Sequence, residues 1–280
     1  MLQDERIAFV GGGMMGEAII RGVLAKKLTA PEQIIASGPR AERGQALHKD
    51  YGIQVTTDNL KAIQEASVVV LTIKPQVLPQ IYHGLKGHIP SNALVLSTIA
   101  GARLADIEHG LMHPSIVRSM PNTPAQVGEG MTVWTASPQV SEAQREHARA
   151  IRGALGEEIF VEEEDYLDMA TAISGNGPAY VFLFMEALID AGVHLGFPRY
   201  MAEKLVFQTL KGSVEYARQT PQHLARLRNQ VTSPGGTSAE ALYYLEKAGF
   251  RTAISRAIWA AYQRSTQLGR GKKRQPLQED

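Results

Sequence analysis

From Arg6 onward the chain alternates between short apolar runs and longer stretches in which apolar residues recur every three or four positions. The first pattern predicts buried strands and the second amphipathic helices. Strands are expected at Arg6 to Val10, Gln33 to Ser37, Ile53 to Thr56, Ser67 to Ile73, Ala93 to Ile99 and Ser115 to Met120. The run SVVVLTI has no polar face, as befits a strand covered on both sides of a parallel sheet. Met131 to Thr135 and Glu158 to Val161 flank a charged helix from Ser141 to Leu155 and are expected to close the sheet at its edge. Beyond the acidic run Glu162 to Asp165 the strand pattern stops. Helices follow at Ala179 to Gly196, Pro198 to Arg218, Pro221 to Asn229, a stretch reaching Lys247, and Thr252 to Leu268. The expected fold class is α/β, an N-terminal Rossmann-type doubly wound, mostly parallel sheet followed by an all-α helical dimerisation domain. The expected domains are residues 1–164 and 165–268, with a basic tail over 269–280 that carries Arg270, Lys272, Lys273 and Arg274.

The first strand runs directly into Gly11, Gly12, Gly13, Met14, Met15 and Gly16, and then into the helical EAIIRGVLAKK. Gly11, Gly13 and Gly16 have the dinucleotide-binding spacing, which serves a tight turn, a close approach of backbone to pyrophosphate and close helix packing. A glycine turn in some other α/β unit is the alternative. About 20 residues further on, where an NAD site places a carboxylate on the ribose, the chain offers Ser37, Gly38, Pro39 and Arg40. A hydroxyl at Ser37 and guanidinium groups at Arg40 and Arg43 suit a 2′-phosphate. NADPH is therefore the expected cofactor, with NADH second. Arg40 and Arg43 are alternatively solvated residues at the start of the next helix. Asn59, Lys74, Pro75, Ala100 and Asn122 end strands or begin helices on the same side, and form the expected wall around ribose and nicotinamide. Lys74 is given a positioning role only.

A second candidate site lies at Val231 to Leu242, VTSPGGTSAEAL. Its proline and glycines turn the backbone sharply into a helix, whose free N–H groups and positive dipole end attract a carboxylate. Ser233, Gly235, Gly236, Thr237 and Ser238 are the candidate contacts. An ordinary capped helix is the alternative. The helix AYVFLFMEALIDAGVHLG is apolar on nearly every side, so a second subunit is its expected cover, with a monomeric bundle as the alternative.

Composition narrows the classes. With 280 residues and 44% hydrophobic content the chain can bury one long or two modest domains. The absence of cysteine removes disulfides, thiol catalysis and thiolate metal sites; no metal is expected, and a cytoplasmic location is. A net charge of +1 speaks against nucleic-acid or membrane attraction. No stretch is expected to supply the roughly 18 to 20 apolar residues of a membrane span.

The segments GGGMMGEAII, IKPQ, STIAGA, MPNTPAQVGEGM, SGNGPAY and VTSPGGTSAEAL, in this order and spacing, resemble pyrroline-5-carboxylate reductase over residues 5 to 268. The resemblance implies reduction of L-1-pyrroline-5-carboxylate to L-proline with NAD(P)H, in a dimer that often assembles further into a decamer. It implies that the substrate carboxylate sits on Ser233 to Ser238. The cofactor would lie on the glycine loop, the Ser37 to Arg40 corner, Asn59, Lys74 and Asn122. Against the family pattern, Asn176 stands where a Ser is usual, Asn229 where an Asp is frequent and Ser238 where a Thr is usual.

A cyclic imine is already electrophilic, so the protein needs chiefly to orient it and exclude water. Ser238 is the expected hydrogen-bond partner of the ring nitrogen, and no ionisable residue near the turn is positioned by sequence to act as acid or base. Two rival functions are a non-catalytic NADP-binding regulator of the same fold and a reductase of the β-hydroxyacid dehydrogenase type. The second needs a lysine on the long helix, and Ala179 to Gly196 contains none.

Overall fold

The computed structural model describes residues 2–269, so the basic tail from Arg270 lies outside the described residues. Its strands are β1 (Ile7–Val10), β2 (Ile34–Ser37), β3 (Gln54–Thr56), β4 (Val68–Leu71), β5 (Leu94–Ser97), β6 (Ile116–Met120), β7 (Gly130–Ala136) and β8 (Gly156–Phe160). They form one sheet in the order β3-β2-β1-β4-β5-β6-β7-β8. Ile7 pairs with Ile34 on one side and Val68 on the other, so the order reverses beside β1 and opens a crevice at the carboxyl ends there. Among the described residues the one antiparallel pair is β6 with β7, and β8 runs parallel to β7. The link between β6 and β7, a 3-10 turn over Thr123–Val127, is too short for the crossover that a parallel pair requires. The expected fold class is the one observed.

Six helices accompany the sheet: α1 (Met14–Ala25), α2 (Ala41–Tyr51), α3 (Asn59–Ile63), α4 (Leu78–Leu85), α5 (Leu104–Leu111) and α6 (Glu142–Gly153). Alternate residues of the strands feed two cores, as the two-residue period requires. Phe9, Val70 and Leu96 join Ile20, Trp134 and Ile151 in one. Ala8, Val69 and Val95 join Ile81, Ile107 and Leu111 in the other. A capping box closes the start of α6, where the Ser141 side chain accepts from Gln144 N and the Gln144 side chain accepts from Ser141 N.

The remaining helices are α7 (Tyr166–Ala170), α8 (Gly177–His194), α9 (Arg199–Gln219), α10 (Leu224–Gln230), α11 (Thr237–Lys247) and α12 (Phe250–Gly269). Packing divides the chain into a unit running to Pro178 and resuming at Ala261, and a second unit, Ala179–Ala260. Within the first unit, Arg118 on β6 is buried and pairs with Glu164 Oε1 at 2.9 Å and Asp168 Oδ1 at 3.4 Å. Asp168 Oδ1 also accepts the Ser265 hydroxyl at 2.8 Å, which holds the end of α12 against α7. Gly101 also packs closely on the end of α12: a Cβ there would lie 3.0 Å from Gly269 N.

From sequence, the long apolar helix is expected to open at Gly175 to Pro178, and α8 begins there, at Gly177. A π turn, Thr171–Gly175, precedes it, and with α7 makes a stretch, Tyr166–His194, of 29 residues. This corrects the expectation that no apolar stretch reaches span length. By length and composition alone, with a mean hydropathy of 1.2 in its apolar window, the joined helix could cross a membrane. In the second unit α8 leaves Phe182, Leu183 and Leu188 exposed, and α9 leaves Tyr200, Leu205 and Phe207 exposed.

His113, between α5 and β6, is buried with Nε2 2.8 Å from the Ala93 carbonyl. Burial pushes its imidazole below the ordinary 6.5, with the bond to Ala93 partly opposing. The unfolded chain therefore takes up a proton that the folded chain refuses, and stability falls as pH drops through 6.5. Urea unfolding from pH 8 to 5 should show this loss, and His113→Gln should flatten it; an identical slope in the variant excludes His113 as its source.

Candidate active site

The crevice at the switch point is built from the end of β1 outward. Gly11 takes φ +109°, which side chains other than glycine's rarely adopt, and a Cβ there would lie 2.8 Å from the Thr72 carbonyl oxygen. A Cβ on Gly16 would lie 2.5 Å from the Gly11 carbonyl oxygen, so α1 can start this close to β1 only with glycine at that position. Around Gly13 the space is open, with nothing within 4 Å of where its Cβ would be. The amides of Gly12, Gly13, Met14 and Met15 have no protein acceptor among the described residues, and no side chain caps α1. Free amides at a helix start beside open space fit a phosphate group.

Thr72, just past β4, donates its hydroxyl to the Gly11 carbonyl at 2.5 Å. On the far side Arg43 donates from Nε to the Gly12 carbonyl at 2.8 Å and pairs with Glu17. The Tyr51 hydroxyl reaches Glu17 Oε1 at 3.0 Å. The hydrogen bond from Arg43 holds the Glu17 carboxyl below its ordinary range, against the opposing effect of burial. These contacts clamp the loop from both sides. Nothing in the sequence pattern marks Glu17 or Tyr51; Thr72 carries the one local signal, a hydroxyl ending an apolar strand.

At the next corner Ser37 is buried, and its hydroxyl donates to Asn59 Oδ1 at 2.7 Å with the Phe9 carbonyl at 3.2 Å. Ser37 and Asn59 thus brace each other at the ends of β2 and α3. Arg40 is exposed, and its guanidinium has no partner among the described residues, whereas Arg43 is committed to the loop. Lys74 and Pro75 are exposed at the start of a 3-10 turn, and Ala100 is half-buried. Asn122 uses both ends of its side-chain amide: Nδ2 donates to the Ser174 carbonyl at 3.0 Å and Oδ1 accepts from Met131 N at 2.9 Å. It therefore ties the MPNTP turn to β7 and to the π turn.

The acid cradle belongs to the second unit. After α10, the Thr232 hydroxyl bonds the Arg228 carbonyl at 2.7 Å and Gly236 N bonds the Ser233 carbonyl at 3.0 Å. Gly235 takes φ +70°, and a Cβ on Gly236 would lie 2.7 Å from Ser233 Oγ. Gly236 is the N-cap of α11 and supplies no capping side chain. The amides of Gly235, Thr237 and Ser238 have no acceptor among the described residues, and Ser233, Thr237 and Ser238 are exposed. The turn presents N–H and O–H donors together, the donor set for a carboxylate. Of the departing positions, Asn229 accepts Thr232 N through its carbonyl, and Asn176 N closes the π turn on Thr171.

A switch-point crevice holding a glycine turn with free amides defines a Rossmann-type dinucleotide-binding protein. Residues 6–101 match the family described as NADP oxidoreductase, coenzyme F420-dependent, and residues 164–268 match Pyrroline-5-carboxylate reductase dimerisation. The chain is 43% identical over 265 residues to pyrroline-5-carboxylate reductase of Synechocystis sp., covering 95% of this chain and 98% of that one. It is 39% identical to the enzyme of Pseudomonas aeruginosa over 95% of this chain and 98% of that one. Among solved structures, pyrroline carboxylate reductase of Plasmodium falciparum with NADP bound superposes with a TM-score of 0.88 at 32% identity, covering 95% of this chain and 99% of that one. The chain belongs to the pyrroline-5-carboxylate reductase family.

Removing the Thr72 hydroxyl while keeping its shape leaves the Gly11 carbonyl unbonded. Thr72→Val is expected to raise the dissociation constant for a nicotinamide dinucleotide about five-fold, roughly 1 kcal/mol, in a calorimetric titration. An unchanged constant would remove Thr72 from the binding machinery.

Proposed function

We propose that the chain reduces L-1-pyrroline-5-carboxylate to L-proline, with NADPH as the preferred reductant and NADH second. The observation that carries this reading is the TSPGGT turn, where free amides and hydroxyls of Gly235, Thr237, Ser233 and Ser238 gather at the start of α11. The family relationship over nearly the whole chain supports it.

In this reading Gly12, Gly13, Met14 and Met15 hold the pyrophosphate with their amides, and Arg40 meets the 2′-phosphate. When bound, the reduced nicotinamide supplies a hydride. Lys74, Pro75, Ala100 and Asn122 shape the wall beside it, Asn122 by fixing the turn that carries it. The cradle amides anchor the substrate carboxylate, and Ser238 Oγ bonds the ring nitrogen and so orients the C=N bond. Proximity and orientation then account for the rate, without a dedicated side-chain acid. The working domains are 1–164 for the nucleotide and 165–268 for substrate and dimerisation. Apolar side chains exposed along α8 and α9 support a homodimer, with a decamer as the further assembly, and the location is the cytoplasm.

Three measurements test this. NADPH oxidation with pyrroline-5-carboxylate should proceed at micromolar enzyme; tight NADPH binding without turnover would favour the non-catalytic regulator. Arg40→Ala should weaken NADPH about ten-fold and leave NADH unchanged, and equal effects on both would sink the 2′-phosphate assignment. Ser233→Ala combined with Ser238→Ala should raise the substrate KM about ten-fold or more at constant cofactor affinity. A parallel loss of NADPH binding would show that the turn acts through the fold instead.

A further inference from the structure

The helix that follows the glycine loop carries an acid that neither phosphate binding nor hydride transfer calls for. Glu17 stands in the first turn of α1, with its amide bonded to the Gly13 carbonyl at 2.9 Å. A carboxylate suits the positive end of a helix, but at this helix start an unbalanced one would repel a phosphate. Its charge is balanced. Oε2 pairs with Arg43 Nη2, and Oε1 accepts the Tyr51 hydroxyl at 3.0 Å, so both oxygens are occupied. The pair is partly shielded from solvent, with side chains 27% exposed for Glu17 and 30% for Arg43.

The neighbouring corner bears the consequence. Arg43 follows Arg40, the N-cap of α2, by three residues, and its Nε donates to the Gly12 carbonyl at 2.8 Å. The end of β2 abuts the same loop, where a Cβ on Gly38 would lie 3.9 Å from Gly12 N. Two guanidinium groups therefore border one crevice, and Glu17 cancels the charge of Arg43. Arg40 has no carboxylate partner among the described residues and keeps its charge. NADPH differs from NADH by one phosphate of about two negative charges, so the field at this corner governs the ratio of their affinities.

We infer that Glu17 is a specificity-determining residue: by neutralising Arg43 it leaves Arg40 as the one uncompensated cation at the corner, and holds the preference for NADPH over NADH below what two free arginines would give. Glu17 acts through Arg43, so it is a positioning residue and not a phosphate ligand. The inference rests on the dinucleotide site of the proposed function and is independent of the imine chemistry.

Calorimetric titration of the full chain with NADPH and with NADH, in the absence of substrate, reads the ratio of the two dissociation constants. Glu17→Gln fills the same space and removes the charge, and should shift that ratio about five-fold toward NADPH. Arg43→Ala with Glu17 in place removes a brace of the loop, and should weaken both nucleotides alike at an unchanged ratio. Combining Arg43→Ala with Glu17→Gln should return the ratio to its native value. A ratio unmoved by Glu17→Gln, including an equal weakening of both nucleotides, makes the residue merely structural and overturns the inference. So does a selective loss of NADPH in the single Arg43→Ala variant, which would put Arg43 on the 2′-phosphate already. Native protein that binds both nucleotides without turning over pyrroline-5-carboxylate would sink the reductase reading alone, and the same ratios would still decide the role of Glu17.

Discussion

The crevice depends on how closely three backbone segments meet at Gly11. Its carbonyl accepts the Thr72 hydroxyl and faces Gly16, where a Cβ would stand only 2.5 Å away. That crowding sets the direction in which α1 leaves β1, and hence where the unpartnered amides of Gly12 to Met15 point. A larger residue at either glycine would displace the start of the helix, and the amides would no longer converge on one phosphate.

Charge is divided just as strictly around this turn. Of two arginines three residues apart, Arg43 is taken by Glu17 and the Gly12 carbonyl and stiffens the loop, while Arg40 stays exposed at the corner. The sequence offered both for the same phosphate. Only the fold separates them, because α2 turns one toward α1 and the other toward solvent. Ser37 shows the same limit: its hydroxyl, a candidate for phosphate from position alone, is committed to Asn59.

The alternation of apolar runs made the parallel sheet legible, since SVVVLTI and its neighbours carry the two-sided burial of inner strands. The glycine spacing and the TSPGGT turn were legible for a related reason: each is a backbone requirement that few sequences satisfy. What stayed hidden depends on contacts between distant segments. The antiparallel course of β7 follows from a short link, and the π turn at Thr171–Gly175 from a helix held against the MPNTP turn by Asn122. No periodicity in the chain records any of these.

The bond from Ser265 to Asp168, with Arg118 behind it, has a topological consequence. Because the chain quits the sheet unit at Pro178 and is fastened to it again from Ala261, the helical unit is an insertion with two tethers. For such a module to exchange between copies, both of its connections would have to cross.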